Sequence, residues 1–166
     1  MRIVGIDPGI ARNGWGVIQD TGNKISTLAY DCFETPKTDS APVRLVAIYN
    51  FMHSLLTKYK PDALSIEELF FNKNVSTALV VGQARGVVIL SAAQLNIPVI
   101  SYTPLQVKMA LTGYGRADNS QIGQMVKSLL FLQTIPKPDD TADALAIALT
   151  HAFSYKLKAK SSKLQL

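Results

Sequence analysis

Cysteine is almost missing from this chain of 166 residues: Cys32 stands alone. No internal disulfide can brace the fold, and a cytoplasmic setting is expected. Long apolar runs are missing too. The longest stretch, from Ala78 to Leu95, is broken by Gly82, Gln83, Arg85, Gly86, Ser91 and Gln94. That is too polar to cross a bilayer, so no membrane association is expected. Met1-Arg2 leads straight into a strand pattern, with no sign of a secretory leader. The chain has no internal repeat and no linker that would divide it. Acid is the scarcer charge: Asp and Glu number 12 against 17 Lys and Arg, a net charge of +5 and a pI near 9.4. Such an imbalance favours a polyanionic partner, and it grows if any acids are held by metal.

What is present suits one domain with a real core, since hydrophobic residues make up 48% of the chain. Residues 2–7 read as a buried strand ending in the turn signal Asp7-Pro8-Gly9. Gly14 to Ile18 and Lys24 to Phe33 read as two further strands joined at Thr21-Gly22-Asn23. Leu45, Ile48, Tyr49, Met52, Leu55, Leu56 and Tyr59 fall at helical spacing, with Pro42 in the first turn and Ser40 as the cap. Ala63 to Glu67 is a short buried strand. Val75 to Leu95 predicts a long helix, apolar nearly all round, with both its sides covered. A strand at 98–102 and a short helix at 103–111 follow. Ser120 is expected to cap the next helix, and Asp139 or Asp140 a last one ending near Tyr155. The order β-β-β-α-β-α-β-α-α-α predicts an α/β fold, a mixed five-stranded sheet with helices on both faces. Residues 1–155 are expected to form the domain. Residues 156–166, basic and low in complexity, are expected to form a disordered tail free to touch DNA loosely.

Four carboxylates stand where the chain has least use for charge. Asp7 ends one apolar run, Glu67 ends another, and Asp140 and Asp143 open the stretch Ala144 to Leu149. An unpaired buried carboxylate costs several kcal/mol, roughly, so the three segments are expected to converge on something that repays it. Each has a plainer reading. Asp-Pro-Gly can be a simple turn. Glu67 can be a solvated strand end, as Glu68 beside it suggests, and alternation lets only one of the two face Asp7. Asp140 and Asp143 share a helical face, but acids in a first turn also cap a helix, and Asp139 fits that role equally well. Taken together, and with no histidine or second cysteine competing as a ligand, the all-oxygen set favours Mg²⁺ or Mn²⁺ over Zn²⁺. This is the constellation of a two-metal nuclease.

Several motifs closely resemble the RuvC family of Holliday-junction resolvases, collinearly over about residues 2–153. They are Gly5-Ile6-Asp7-Pro8-Gly9, Ile66-Glu67, Asn74 with Ala78-Leu79, Gly82-Gln83-Ala84-Arg85-Gly86, Gln106-Val107-Lys108, and Ala142 to Ala148 with His151. The resemblance implies an RNase H-like fold and a homodimer. It also implies Mg²⁺-dependent nicking of two opposed strands of a four-way DNA junction, leaving 5′-phosphate and 3′-hydroxyl ends. On this resemblance the metal-binding acids are Asp7, Glu67, Asp140 and Asp143, with Asp139 a spare cap, and the catalytic-site lysine is Lys108. Phe70 falls where an aromatic ring stacks near the junction centre, and Phe71 could share that role. Lys73, Arg116 and Asn119 are grouped with them as DNA-contacting residues. The RuvA–RuvB branch-migration motor is implied as a partner. The long helix is the candidate dimer interface, because Gly82 and Gly86 would let another backbone approach.

One departure stands out. The family usually carries a second lysine where this chain has Asn119, and Arg116 is the nearby cation that could substitute in part. This leaves a junction-binding protein with weakened catalysis as one rival, against which the intact acids argue. A nucleotide-binding domain of the actin and sugar-kinase type is another, since it too begins with a strand ending in Asp-x-Gly. That type needs two such domains around a cleft, and the chain has neither the length for two nor a Walker-type loop.

Overall fold

Neighbouring residues of the first strand choose opposite sides, and the whole architecture follows from that choice. The computed structural model describes residues 1–69 and 75–163, with the backbone alone for 75–77 and 158–163. In β1 (Arg2–Asp7) Ile3 packs into one apolar cluster while Val4 and Ile6 pack into another. A strand buried on both faces must lie inside a sheet covered on both faces. β1 accordingly occupies the middle of five strands, in the order β3-β2-β1-β4-β5. β2 (Arg12–Asp20) and β3 (Ile25–Glu34) complete an antiparallel meander with it. β4 (Ala63–Glu67) and β5 (Val99–Tyr102) run parallel to β1. The order of elements is the one expected from the sequence.

Each face has its own core. On one side α1 (Ala41–Tyr59) and α2 (Val75–Gln94) cover Val4, Ile6, Val17, Leu64 and Ile66. On the other, α3 (Pro104–Thr112), α4 (Asn119–Leu129) and α5 (Asp139–Lys163) cover Ile3, Ile18 and Tyr102. Thr103 and Gln106 form a reciprocal capping box that starts α3, and Gly113, with φ +70°, ends it.

Four expectations are corrected. Asp118, not Ser120, caps α4: its side chain accepts from the Gln121 amide while Gln121 reaches back to the Asp118 amide. An acid one residue earlier closes the capping box that Ser120 would miss. Asp139 and Asp140 both lie inside the first turn of α5 rather than at a cap, where their charge complements the helix dipole. That helix also runs on past Tyr155 to Lys163, because no glycine or proline interrupts 139–163 and lysines favour a helix C-terminus. Finally, α2 is covered on one side only, leaving Leu79 (64% exposed) and Leu90 (52%) in the open. Phe70, Phe71 and Lys73 lie outside the described residues. Among the described residues no helix is long and apolar enough to cross a membrane.

Candidate active site

The acids come together through strand parity. Asp7 shares its side of β1 with Ile3 and Gly5, the side that α5 covers. In β4, Leu64 and Ile66 point the other way, toward α1 and α2, so Glu67 takes the α5 side. Ile6 pairs with Ile66, which sets the next residues, Asp7 and Glu67, beside each other at the strand ends. Glu68 is exposed, and its amide donates to the Tyr102 carbonyl (2.8 Å), continuing the ladder to β5. Of the two neighbouring glutamates, Glu67 is therefore the one that faces Asp7.

Glycines bring α5 down onto this edge. A Cβ on Gly5 would strike the Ala144 carbonyl and lie 2.8 Å from the Ala148 amide. One on Gly14 would strike the Asp140 carbonyl, and one on Gly16 the Leu145 side chain. Gly14 pairs with Asp7 across the β1–β2 ladder. The missing side chains thus seat the first turns of α5 directly on the sheet, next to Asp7, and deliver Asp140 and Asp143. Sequence reasoning overlooked this slot. Its signal is legible in retrospect: Gly14 and Gly16 two apart in a strand, and small Ala144 and Ala148 four apart on a helix.

The electrostatics match the placement. Burial, then the charges of Glu67, Asp143 and Asp140, push the Asp7 carboxyl up to about 8. Burial and Asp143 raise Glu67 to about 7, against the opposing pull of Lys108. Burial, Asp139 and Asp140 raise Asp143 to about 6, again opposed by Lys108. Lys108 projects from α3 and is half-buried, so its charge acts on two acids at once. These acids strain to keep protons because several like charges share a poorly solvated place. A hard divalent cation would relieve that crowding, and carboxylate oxygens are the donors such a cation takes. Among the described residues the acids face one another without closing into a ready-made cage of three or more ligands.

Two arginines missed by sequence reasoning touch this site. Arg85 of α2 donates through Nε to the Glu67 carbonyl (3.0 Å) and through Nη2 to Ser101 Oγ (2.6 Å), pinning the ends of β4 and β5. Arg12 Nε stands 3.6 Å from Asp140 Oδ2, both partly exposed. Neither contact has a signature in periodicity, since the partners are far apart in the chain. Arg116 is exposed. Asn119, the first residue of α4, lines a cleft of about 160 Å³ together with Asp143. Gly82 lies against Leu69 (3.4 Å from its ideal Cβ), whereas Gly86 opens to free space. Cys32 takes no part as a thiolate, because burial and then Asp140 push its thiol up to about 11.

The family profile described as "Crossover junction endodeoxyribonuclease RuvC" matches residues 3–151. This chain belongs to the RuvC family. A relative of that name from Desulfitobacterium hafniense is 55% identical over 157 residues, covering 95% of both chains. One from Alkaliphilus oremlandii is 57% identical over 152 residues, covering 92% of this chain and 93% of its own. The fold is similar to the Thermus thermophilus RuvC structure, with a TM-score of 0.87 at 38% identity, covering 95% of this chain and 97% of that one. T. thermophilus RuvC in complex with a Holliday junction substrate matches equally well, with a TM-score of 0.87 at 36% identity over 95% and 96% of the two chains. The α/β architecture is thus the RNase H-like fold of the RuvC resolvases, and the enzyme class is that of the crossover junction endodeoxyribonucleases.

Proposed function

We propose that this chain resolves four-way DNA junctions in the cytoplasm, in recombination and repair, by nicking two opposed strands. Asp7, Glu67, Asp140 and Asp143 would hold two divalent cations, Mg²⁺ by preference with Mn²⁺ able to substitute. The observation that carries this reading is the gathering of four acids from β1, β4 and α5 on one sheet face, with Asp7, Glu67 and Asp143 holding protons far above the usual carboxylate range. When bound, such cations activate water and offset charge on the leaving oxygen. The chain's own part is to orient them. Gly5 and Gly14 set the distance between strand and helix, and the Arg85 guanidinium fixes the end of β4 through the Glu67 carbonyl.

In the reaction, the water oxygen bonds to phosphorus as the bond from phosphorus to the 3′ oxygen breaks. The water gives up a proton and the 3′ oxygen takes one, leaving a 3′-hydroxyl and a 5′-phosphate. Lys108, whose charge already acts on Glu67 and Asp143, would steady the negative charge that grows on the phosphate. Residues 1–155 serve as one nuclease domain. A two-fold dimer would offer two such sites to the two opposed strands of a near-symmetric junction. The open side of α2, with Leu79, Gly86 and Leu90, supports that helix as the interface. RuvA and RuvB are the proposed partners in supplying the junction.

A synthetic four-way junction and a linear duplex of the same sequence, each incubated with Mg²⁺ or with a chelator, test the proposal. Paired nicks in the junction alone, and only with metal, are expected. Equal cutting or binding of both DNAs at moderate salt contradicts it, as does binding without any metal-dependent cleavage.

A further inference from the structure

The cleft beside Asp143 contains a cation that the known chemistry leaves unassigned. Asn119 and Ser120 from the start of α4 form one wall, and Asp143 from α5 belongs to another. Lys137, in the segment leading into α5, completes it with Asp139. Among the described residues lining this cleft Lys137 is the one cation. Its ammonium rests on Asp139 Oδ1 at 2.5 Å, and both side chains are largely exposed, at 73% and 68%. Arg116, the cation nearest to Asn119 in sequence, is exposed and does not line the cleft.

A phosphate brought up to Asp143 meets acids and the charge of Lys108 on the α3 side, and an uncharged asparagine where α4 lines the cleft. The α4 side therefore has room for a second positive group that can come to it. An exposed ion pair is weak and easily exchanged, so Asp139 holds Lys137 at the cleft without locking it there. A phosphodiester entering the cleft competes with one exposed carboxylate for the ammonium, and unlike that carboxylate it gains charge as the bond breaks.

We infer that Lys137 is a further functional residue of the junction-cutting site. It supplies from the approach to α5 the positive charge that position 119 does not supply from α4. This rests on the reading of Asp143 as part of the active site. Lys137 acts on the phosphate, not on the cations, and it contributes to the rate of cleavage rather than to the fold.

The experiment measures single-turnover cleavage of one synthetic junction at saturating Mg²⁺, with junction affinity measured separately in Ca²⁺. Lys137→Gln should slow cleavage by about tenfold or more while junction affinity and thermal stability stay within about twofold and about 2 °C, the range for a surface change. Lys137→Arg should keep most of the rate. Asn119→Lys placed in the Lys137→Gln background should restore it, because the charge returns from the opposite wall. An unchanged rate in Lys137→Gln overturns the inference, and so does a slowed rate that Asn119→Lys fails to rescue. Asp143→Asn separates this from failure of the underlying reading. If that variant cuts at the wild-type rate, the active-site assignment itself falls, whatever Lys137 does.

Discussion

The two faces of the sheet are made from the same strands, yet they are finished differently. Under α1 and α2 the inward residues of β1 and β4 are Val4, Ile6, Leu64 and Ile66, apolar to the end. Under α5 the same strands begin with Ile3 and Ala63, pass through Gly5 and Ser65, and end in Asp7 and Glu67. Ser65 is fully buried and satisfies its hydroxyl by donating to the Val4 carbonyl. One face spends every position on burial. The other gives up side-chain volume at Gly5, Gly14 and Gly16 so that a helix can come close enough to place two more acids beside the first two. The lesson is that parity decides which acids meet, while glycine decides how closely.

The harshest way to break this comparison is to fill the glycine slot. Gly5→Ala puts a methyl group into the Ala144 carbonyl and against Ala148. Overpacking of this kind costs roughly 1–3 kcal/mol, and more where backbone must move. Both partners here are largely backbone, so the upper end or outright misfolding is expected, read as a large fall in Tm by circular dichroism.

Parity itself is tested by two neighbouring substitutions. Glu67→Gln should lower junction cleavage by about a hundredfold or more, with junction binding retained because loss of an acid eases phosphate approach. Glu68→Gln, exposed on the other side, should change the rate by less than about twofold. The reverse ranking in a timed cleavage assay would mean that the strand register is wrong.

The acid face should also answer to pH where the apolar face cannot. Asp143, Glu67 and Asp7 keep protons up to about 6, 7 and 8. In the unfolded chain they ionise near about 4. Between those limits the folded state holds more protons than the unfolded one, so stability of the metal-free protein falls as pH rises. Melting in a chelator should give a lower Tm near pH 8 than near pH 5. Added Mg²⁺ should recover more at the higher pH, where fewer protons compete for the carboxylates. A Tm that rises with pH across this window would remove the case for strained acids.

The gentlest contrast is a glycine that does no docking. Gly86 has nothing within 4 Å of an ideal Cβ. In an isolated chain Gly86→Ala should stabilise α2 by up to about 1 kcal/mol. If α2 is the dimer interface, the same substitution should weaken self-association, which sedimentation would detect as a raised dissociation constant.

Much of this was legible before the structure. Asp7, Glu67, Asp140 and Asp143 stand out because charge interrupts apolar runs, and the order of elements follows from periodicity and turn signals. The close seat of α5 was less legible, because a glycine in a strand says that something comes near without saying what. Arg85 on Glu67 and Arg12 beside Asp140 were invisible for the same reason. Each joins segments whose proximity is decided by the sheet order rather than by local sequence. The Asp118 cap of α4 was missed through a one-residue competition with Ser120, which reciprocal bonding to Gln121 settles. The open side of α2 was misjudged because an all-round apolar helix does not reveal whether its cover comes from its own chain.

The central claim is that the acid face exists to hold divalent cations, and counting them tests it most directly. Mn²⁺ bound per chain can be titrated by electron paramagnetic resonance near pH 8 without DNA, in the wild type and in Asp7→Asn. The account predicts two ions on the wild-type chain, with occupancy largely lost in the variant because Asp7 feels all three other acids. No bound Mn²⁺ on the wild type, or equal binding by both proteins, would contradict it.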